Sequence, residues 1–113
     1  MAIVNQQLTT TQLDMITVPA NKSYAITNIL VCNNGTATAS FDMHLIPQSS
    51  SLSNTVTRVI NNLELPAGET FTFDSEKIVL DAGDKISFVS EPDLGAPNAG
   101  LTNLSATVSY LEV

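Results

Sequence analysis

The chain has few of the residues on which catalytic centres and cofactor sites depend. Its 113 residues include no Trp, one Cys and one His. Cys32 has no partner for an intrachain disulfide, and we expect it to be a buried thiol in a strand. Zinc sites need several Cys or His ligands, and nucleotide sites need a glycine-rich phosphate loop; the sequence contains neither. The sequence therefore predicts no enzymatic activity, no cofactor and no metal.

Basic residues are also scarce. Four Lys and Arg stand against eleven Asp and Glu, so the formal net charge is −7. Phosphate backbones and anionic membrane surfaces are bound by clustered cations, so we expect neither nucleic acid nor a membrane as partner. No apolar run approaches the roughly 18 residues that span a bilayer. The first residues lack the basic and apolar regions of a secretory signal, which predicts a protein made in a cytoplasm.

What the sequence does contain is a repeated turn pattern. Residues 65–69 (LPAGE) and 80–84 (LDAGD) each place two turn residues and a Gly before an acidic residue and an apolar alternating run. Residues 18–22 (VPANK) form a weaker copy, with Asn in the Gly position. We expect a positive φ at the fourth position of each copy, which is Gly68, Gly83 or Asn21. At the fifth position of the first two copies we expect a solvated acid, Glu69 or Asp84.

Between the turns, apolar residues recur with a period of two. The clearest case is 36–46, where alternation predicts one face toward the core and the other toward solvent. A helical period is absent, and Ser, Thr and Asn oppose helix formation throughout. We predict an all-β, single antiparallel β-sandwich, jelly-roll-like, of 7–8 strands. The inward residues of 36–46 are Ala37, Ala39, Phe41, Met43 and Leu45, and the outward ones are Thr36, Thr38, Ser40, Asp42 and His44.

Three local features refine this prediction. Residues 23–32 are apolar on both faces, which indicates a strand covered on both sides. Residues 33–35 (NNG) predict a tight hairpin with a type I′ turn, because Asn-Gly tolerates two positive φ values. The alternation of 55–65 changes phase near Asn61 and Asn62, which predicts a bulge or a break in the strand.

We divide the chain into an N-terminal arm, residues 1–11, and a sandwich domain, residues 12–113. The arm is either a loosely attached edge strand or a segment that reaches an adjacent subunit. Two polar loops, 47–54 and 91–100, are the other candidate contact elements. The predicted assembly contacts are Ile3, Val4 and Leu8 in the arm, Ser50 and Leu52 in the first loop, and Asp93 and Leu94 in the second.

Candidate catalytic groups are few. His44 lies on the polar parity of its strand with Asp42 and Ser40, but a row on one flat strand lacks a nucleophile turn and an oxyanion hole. We interpret His44 as a solvated or interface residue. The acidic residues between 64 and 93 follow no calcium-binding spacing, and we interpret them as solvated turn carboxylates. If any of them held a metal ion, Glu91 and Asp93 would be the candidates.

Nearly the whole chain, from about Thr9 to Val113, resembles small β-sandwich virion proteins of tailed bacteriophages, including those of marine cyanophages. The resemblance rests on residues 9–47 (TTTQLDMITVPANKSYAITNILVCNNGTATASFDMHLIP), the LxAGD turn at 80–84 and the closing strand at 101–113 (LTNLSATVSYLEV). In such proteins, one sandwich of this size attaches to the capsid, neck, tail or fibre. The LxAGD turn also occurs in jelly rolls of the C1q/TNF kind and in other viral sandwiches.

The resemblance implies a non-enzymatic structural protein of the virion, most directly a capsid decoration or cement protein. Its partners would be other virion proteins and further copies of itself, with a homotrimer as one candidate arrangement. Symmetry and multivalency would supply affinity from many weak contacts. The alternative implied by the same resemblance is a neck, tail or fibre-tip component that binds a receptor or glycan. No functional residue of the family is transferred to this chain.

Overall fold

The computed structural model describes residues 2–73, 78–90 and 103–113. All regular structure in these ranges is β-strand. The strands predicted within residues 23–32, 36–46 and 55–65 are observed, with their ends within three residues of the expected ones. In chain order the strands are β1 (Ala2–Gln7), β2 (Leu13–Thr17), β3 (Tyr24–Asn33), β4 (Ala39–Ile46), β5 (Arg58–Leu65), β6 (Thr70–Phe73), β7 (Ile78–Leu80), β8 (Lys85–Ser90) and β9 (Leu104–Glu112).

The chain pairs with itself as one long antiparallel ribbon. β1 pairs with β9, β2 with β8 and β4 with β5, while β3 pairs with both β6 and β7. The ribbon is rolled so that β1, β9, β3 and the two short strands form sheet A, and β2, β8, β4 and β5 form sheet B. Two packed sheets with this rolled pairing make a jelly-roll sandwich. The predicted fold class is confirmed.

The core lies between the two sheets. Phe41 on β4 is fully buried, with its ring centroid 6.0 Å from that of Phe71 on β6 and 6.1 Å from that of Phe88 on β8. The Phe41–Phe71 contact joins sheet B to sheet A. Each such side chain stabilises the fold by roughly 1.5–3 kcal/mol on burial. The alternation predicted for residues 36–46 is therefore correct for its inward face.

The N-terminal arm is an edge strand of sheet A. β1 pairs with β9 in one uninterrupted register from Ala2 to Gln7. Leu8 follows it as a fully buried member of the core, and its N–H donates to the Leu104 carbonyl at 2.8 Å. Of the two interpretations of the arm, the structure shows the edge strand, which is tied to the domain by this ladder and by Leu8.

The chain leaves β3 in sheet A and enters β4 in sheet B, so the predicted hairpin at 33–35 is wrong. Neither Asn34 nor Gly35 has the positive φ that a type I′ turn requires. Gly35 is instead pressed against another segment, since a Cβ there would lie 2.8 Å from the Asn103 side chain. A local turn signal was overridden because β3 pairs with β9 and β6 rather than with its chain neighbour.

β3 itself is not evenly alternating. Its register with β9 shifts between Ile26 and Asn28, so that Ile26 and Ile29 are both buried although three residues apart. This bulge explains why the strand looked apolar on both faces. The predicted irregularity in β5 is also present, because its register with β4 shifts and Asn62 has a φ of 53°.

The three related turns have the expected backbone. φ is 79° at Gly68, 86° at Gly83 and 65° at Asn21. The left-handed conformation favours Gly and is tolerated by Asn, which accounts for the residue types at this position.

Candidate functional site

The single histidine and its acidic neighbour lie inside the protein, which contradicts their predicted solvent exposure. His44 is 0% exposed and Asp42 is 6% exposed. Thr57, just before β5, contacts both residues 44 and 45: its hydroxyl lies 2.8 Å from His44 Nδ1, and its carbonyl accepts the Leu45 N–H at 3.0 Å. The period of two correctly assigned His44 to the outer face of the sheet. It could not show that another segment covers that face.

The hydrogen bonds of Thr57 define the tautomer of His44. The Thr57 hydroxyl donates to the Ser53 carbonyl at 2.9 Å and accepts from the Ser53 N–H at 2.9 Å. Its one proton is thereby used, so His44 Nδ1, 2.8 Å away, must be the donor in that contact. Nε2 is then a bare acceptor that is buried and has no partner among the described residues. Burial lowers the pKa of His44, against the opposing field of Asp42.

Asp42, two residues before His44, binds groups of the neighbouring strand β5. Its Oδ1 accepts the Asn62 N–H at 2.5 Å, which holds the bulge of β5, and its Oδ2 lies 3.7 Å from Nη1 of Arg58. The carboxylate therefore compensates a backbone group that the bulge removes from the strand ladder.

A second set of polar contacts in sheet B joins β8 to β2. The Ser87 hydroxyl, fully buried on β8, donates to Asp14 Oδ1 at 2.6 Å, and Lys85 Nζ lies 3.6 Å from Asp14 Oδ2. The Ser87 hydrogen bond lowers the pKa of Asp14, assisted by Gln12 and Lys85 and opposed by partial burial. This carboxylate is therefore held in its charged form.

These groups do not form a nucleophile and its base. Ser87 is the ladder partner of His44 across β4 and β8, but its hydroxyl proton is donated to Asp14. His44 is fully buried, and a general base must reach the proton that it abstracts. The arrangement fastens strands and a loop together.

The predicted turn carboxylates are partly engaged as well. Asp84 is half-buried, its Oδ1 accepting the Gln48 N–H at 2.9 Å and its Oδ2 the Asp81 N–H at 3.0 Å. The expectation that Asp84 lies free in solvent is wrong, whereas Glu69 is exposed as expected. In residues 2–73, 78–90 and 103–113, no group of three His, Cys, Asp or Glu side chains is placed to hold a metal ion. Glu91 and Asp93 lie outside the described residues.

The most prominent surface feature is an apolar stripe on the outer face of sheet A. Ala25 on β3 is the ladder partner of both Leu111 on β9 and Val79 on β7, so the three form one cross-strand row. Val79 is 64% exposed and Leu111 is 38% exposed. Cross-strand neighbours on one face lie about 5 Å apart, so their side chains form a continuous surface.

Two further apolar residues extend the row. Ile3 on β1, 66% exposed, pairs with Ser109, which lies two residues before Leu111 on the same face of β9. Val113, 71% exposed, lies two residues beyond Leu111 and donates its N–H to the Ser23 carbonyl. Exposed apolar residues that gather in one place indicate an interaction surface, whereas scattered ones do not. We define the apolar stripe as Ile3, Ala25, Val79, Leu111 and Val113.

A groove adjoins the stripe at β7. It has a volume of about 320 Å³ and lies between residues 45–47, at the end of β4, and residues 78–80 of β7, with Asp84 at its margin. Val79 belongs to both features. The apolar surface therefore continues from the outer face of sheet A toward the open side of the sandwich.

A polar cleft lies at the opposite end of sheet A. It has a volume of about 240 Å³ and is lined by Gln7, Asn34, Asn103, Leu104 and Ser105. Asn34 Nδ2 donates to the Ser105 hydroxyl at 3.1 Å. Cys32 is half-buried beside it, with Sγ 3.4 Å from Asn34 Oδ1, and is not the fully buried thiol that we expected.

The predicted assembly contacts among the described residues lie in different parts of the domain. Ile3 belongs to the apolar stripe, Val4 packs against the core, and Leu8 lies within it. Ser50 is exposed in a turn where its N–H donates to Pro47, and Leu52 is half-buried. Asp93 and Leu94 lie outside the described residues.

The remaining members of the stripe were missed from the sequence. Val79 and Leu111 are apolar residues at the positions of β7 and β9 that alternate with the inward-facing ones. That mismatch is the signal by which they could have been found. Their adjacency depends on the pairing of β3 with both β7 and β9, which no local pattern encodes.

No known family model matches the chain, and no curated protein matches it. None of the described segments forms a helix long and apolar enough to cross a membrane. The function is therefore argued from the surface and the buried contacts.

Proposed function

We propose that this protein is a non-enzymatic structural protein of a tailed-phage virion, most directly a capsid decoration protein that binds the shell through symmetric contacts. The apolar stripe is the observation that carries the proposal. Four of its five members, Ile3, Val79, Leu111 and Val113, are exposed in the isolated chain, and the fifth, Ala25, is half-buried between two of them. Surface of this kind is removed from water when a protein assembles.

The buried contacts support a structural role. His44, Ser87 and Asp42 each make a hydrogen bond that holds a strand, a bulge or a loop in place. Such contacts stabilise a domain that must keep its shape in a particle. The jelly roll is also an architecture of viral capsid domains, although fold alone does not assign function. The likeness of the sequence to small virion sandwiches agrees with this role.

The test is quantitative mass spectrometry of purified phage particles that contain the protein, with copy number measured against the major capsid protein. We expect copies in the hundreds for a shell protein, since decoration follows the symmetry of the shell. A copy number of about six or twelve would instead indicate the neck or tail. Absence from particles that have been freed of soluble protein would contradict a virion role.

The polar cleft favours one second candidate, a neck, tail or fibre-tip component that binds a glycan. Amides and hydroxyls are the groups that hydrogen-bond sugar hydroxyls, and Asn34, Asn103 and Ser105 converge there. Glycan-array binding that is lost in Asn103→Ala and retained in Asn61→Ala, an exposed Asn on β5, would support this candidate. Absence of binding across the array would remove it.

A further inference from the structure

The two outer faces of the sandwich are treated differently by the chain. On sheet B, His44 is fully buried and its ring contacts the Thr57 hydroxyl. On sheet A, Val79 and Leu111 remain exposed on either side of the half-buried Ala25. Sheet faces exposed to water normally present polar residues. The stripe therefore has the composition of a covered face without a cover from the described part of its own chain.

The shape of the stripe is compatible with packing against the same stripe of a second copy. Ala25 is a small residue between two larger ones, Leu111 and Val79, in a row perpendicular to the strands. The row consequently contains both a hollow and projections on either side of it. In a two-fold contact, the same patch must be complementary to itself, and a hollow beside a projection satisfies that condition.

The charge at the margin points to the same partner. The chain has a net charge of −7, so two copies repel over most of their surfaces. The members of the stripe are uncharged, and at its end Lys22 forms an ion pair with Glu112, Nζ to Oε1 at 3.2 Å. Because a cation and an anion lie side by side there, two copies related by a two-fold axis can oppose unlike charges.

We propose that a second copy of this chain docks on the apolar stripe, so that two sandwiches pack back to back through their A sheets. The proposal rests on the assembly role argued above and names the partner for it. Sheets that pack face to face bury their facing apolar side chains at a spacing of about 10 Å, the same way the core of each sandwich is built.

The experiment is sedimentation equilibrium on the full chain over a wide range of concentration. We expect a monomer–dimer equilibrium for the wild type. Val79→Glu places a charge in the contact and should raise the dissociation constant on the order of 100-fold. The matched control is Val56→Glu, because Val56 is 81% exposed and lies outside the stripe. It should change the dissociation constant by about twofold or less.

A fold-preserving variant guards against misfolding. Val79→Thr keeps the β-branched shape and the strand preference, so the domain should keep its circular dichroism spectrum and melting temperature. Loss of apolar contact should still raise the dissociation constant, by about tenfold. Leu111→Thr should do the same from the neighbouring strand.

A wild type that stays monomeric, or a dimer that Val79→Glu and Leu111→Thr leave intact, would overturn the inference. Equal weakening by Val56→Glu would also overturn it, because the effect would then reflect added charge. Particle composition separates this from the proposed function. A protein that dimerises through the stripe but is absent from virions keeps the inference and loses the virion role. A protein found in virions that is monomeric in solution keeps the virion role and loses the inference.

Discussion

Two turns of almost the same sequence have different surroundings in this protein. Residues 65–69 and 80–84 both place a left-handed Gly before an acidic residue, with φ of 79° at Gly68 and 86° at Gly83. A Cβ added at Gly68 meets no atom within 4 Å, whereas one at Gly83 would lie 2.6 Å from Cγ of Gln48. At Gly68 only the backbone conformation disfavours a side chain, whereas at Gly83 the Gln48 side chain disfavours it as well.

The acids of the two turns differ in the same way. Glu69 contributes its backbone, since its carbonyl accepts the Asn33 N–H at 2.9 Å, while its side chain is exposed. Asp84 accepts one N–H from its own turn and one from Gln48. A shared turn motif therefore specifies a backbone shape without specifying which side chains the tertiary structure will use.

The sharpest test of this difference is Gly83→Val against Gly68→Val. Left-handed backbone strain applies to both, and the contact with Gln48 applies only to Gly83. We expect a loss of about 3 kcal/mol in the free energy of unfolding for Gly83→Val and about 1.5 kcal/mol for Gly68→Val. Chemical denaturation monitored by circular dichroism measures both. Equal losses would show that Gln48 moves aside at no cost, and the comparison would fail.

The next effect concerns Asp84. Asp84→Ala removes both accepted hydrogen bonds and should cost about 2 kcal/mol in the free energy of unfolding. Asp84→Asn keeps one acceptor oxygen and should cost about 1 kcal/mol. Denaturation of both variants at neutral pH provides the measurement. If Asp84→Asn cost nothing, the carboxylate would be a solvated turn residue after all.

A smaller change in the free energy of unfolding is expected at acidic pH, through His44. Gln48, the partner of Asp84, begins the segment whose other end is held by the contact of Thr57 with His44. Burial lowers the pKa of His44 in the folded protein, so the neutral form is favoured there. The positive charge of Arg58 also lowers this pKa, and the negative charge of Asp42 opposes the shift. The contribution of His44 to stability is therefore present above about pH 6.5, the ordinary pKa of His, and is lost as the pH falls below it.

Denaturation midpoints measured from pH 7.5 to 5 test this expectation. We expect the wild-type midpoint to fall across that range and the midpoint of His44→Gln to change less, since Gln has no proton to gain. The lowered pKa of Asp14 acts separately, below its ordinary value of 3.8, so it does not confuse the result. Identical slopes for the two proteins would show that His44 does not titrate with unfolding.

The smallest effect is expected at Glu69. Glu69→Gln removes a charge from an exposed side chain and should change the free energy of unfolding by less than about 0.5 kcal/mol. It is the control for Asp84→Asn, because both replace a carboxylate by an amide at the same position of the motif. A loss at Glu69 as large as that at Asp84 would remove the distinction between the two turns.

The site was harder to predict than the fold. Among the predicted contact residues, Ile3 lies on the exposed stripe, whereas Leu8 is used inside the domain. An apolar residue in a strand fits a core and an interface equally well, and only the sheet order decides between them. Val79 and Leu111 become neighbours because each pairs with Ala25 from opposite sides of β3, across more than thirty residues of chain.

The sequence by itself determined the features that depend on local backbone and side-chain preference. Alternation specified the strands and the inward face around Phe41, and the Gly or Asn at the turns specified a left-handed residue there. These follow from steric limits and periodicity within a few residues. Only the tertiary structure decided that β3 would pair with β9 rather than with β4, that His44 would be covered, and that the stripe would form. Each of these depends on contacts between distant segments, whose free energy no single stretch of sequence contains.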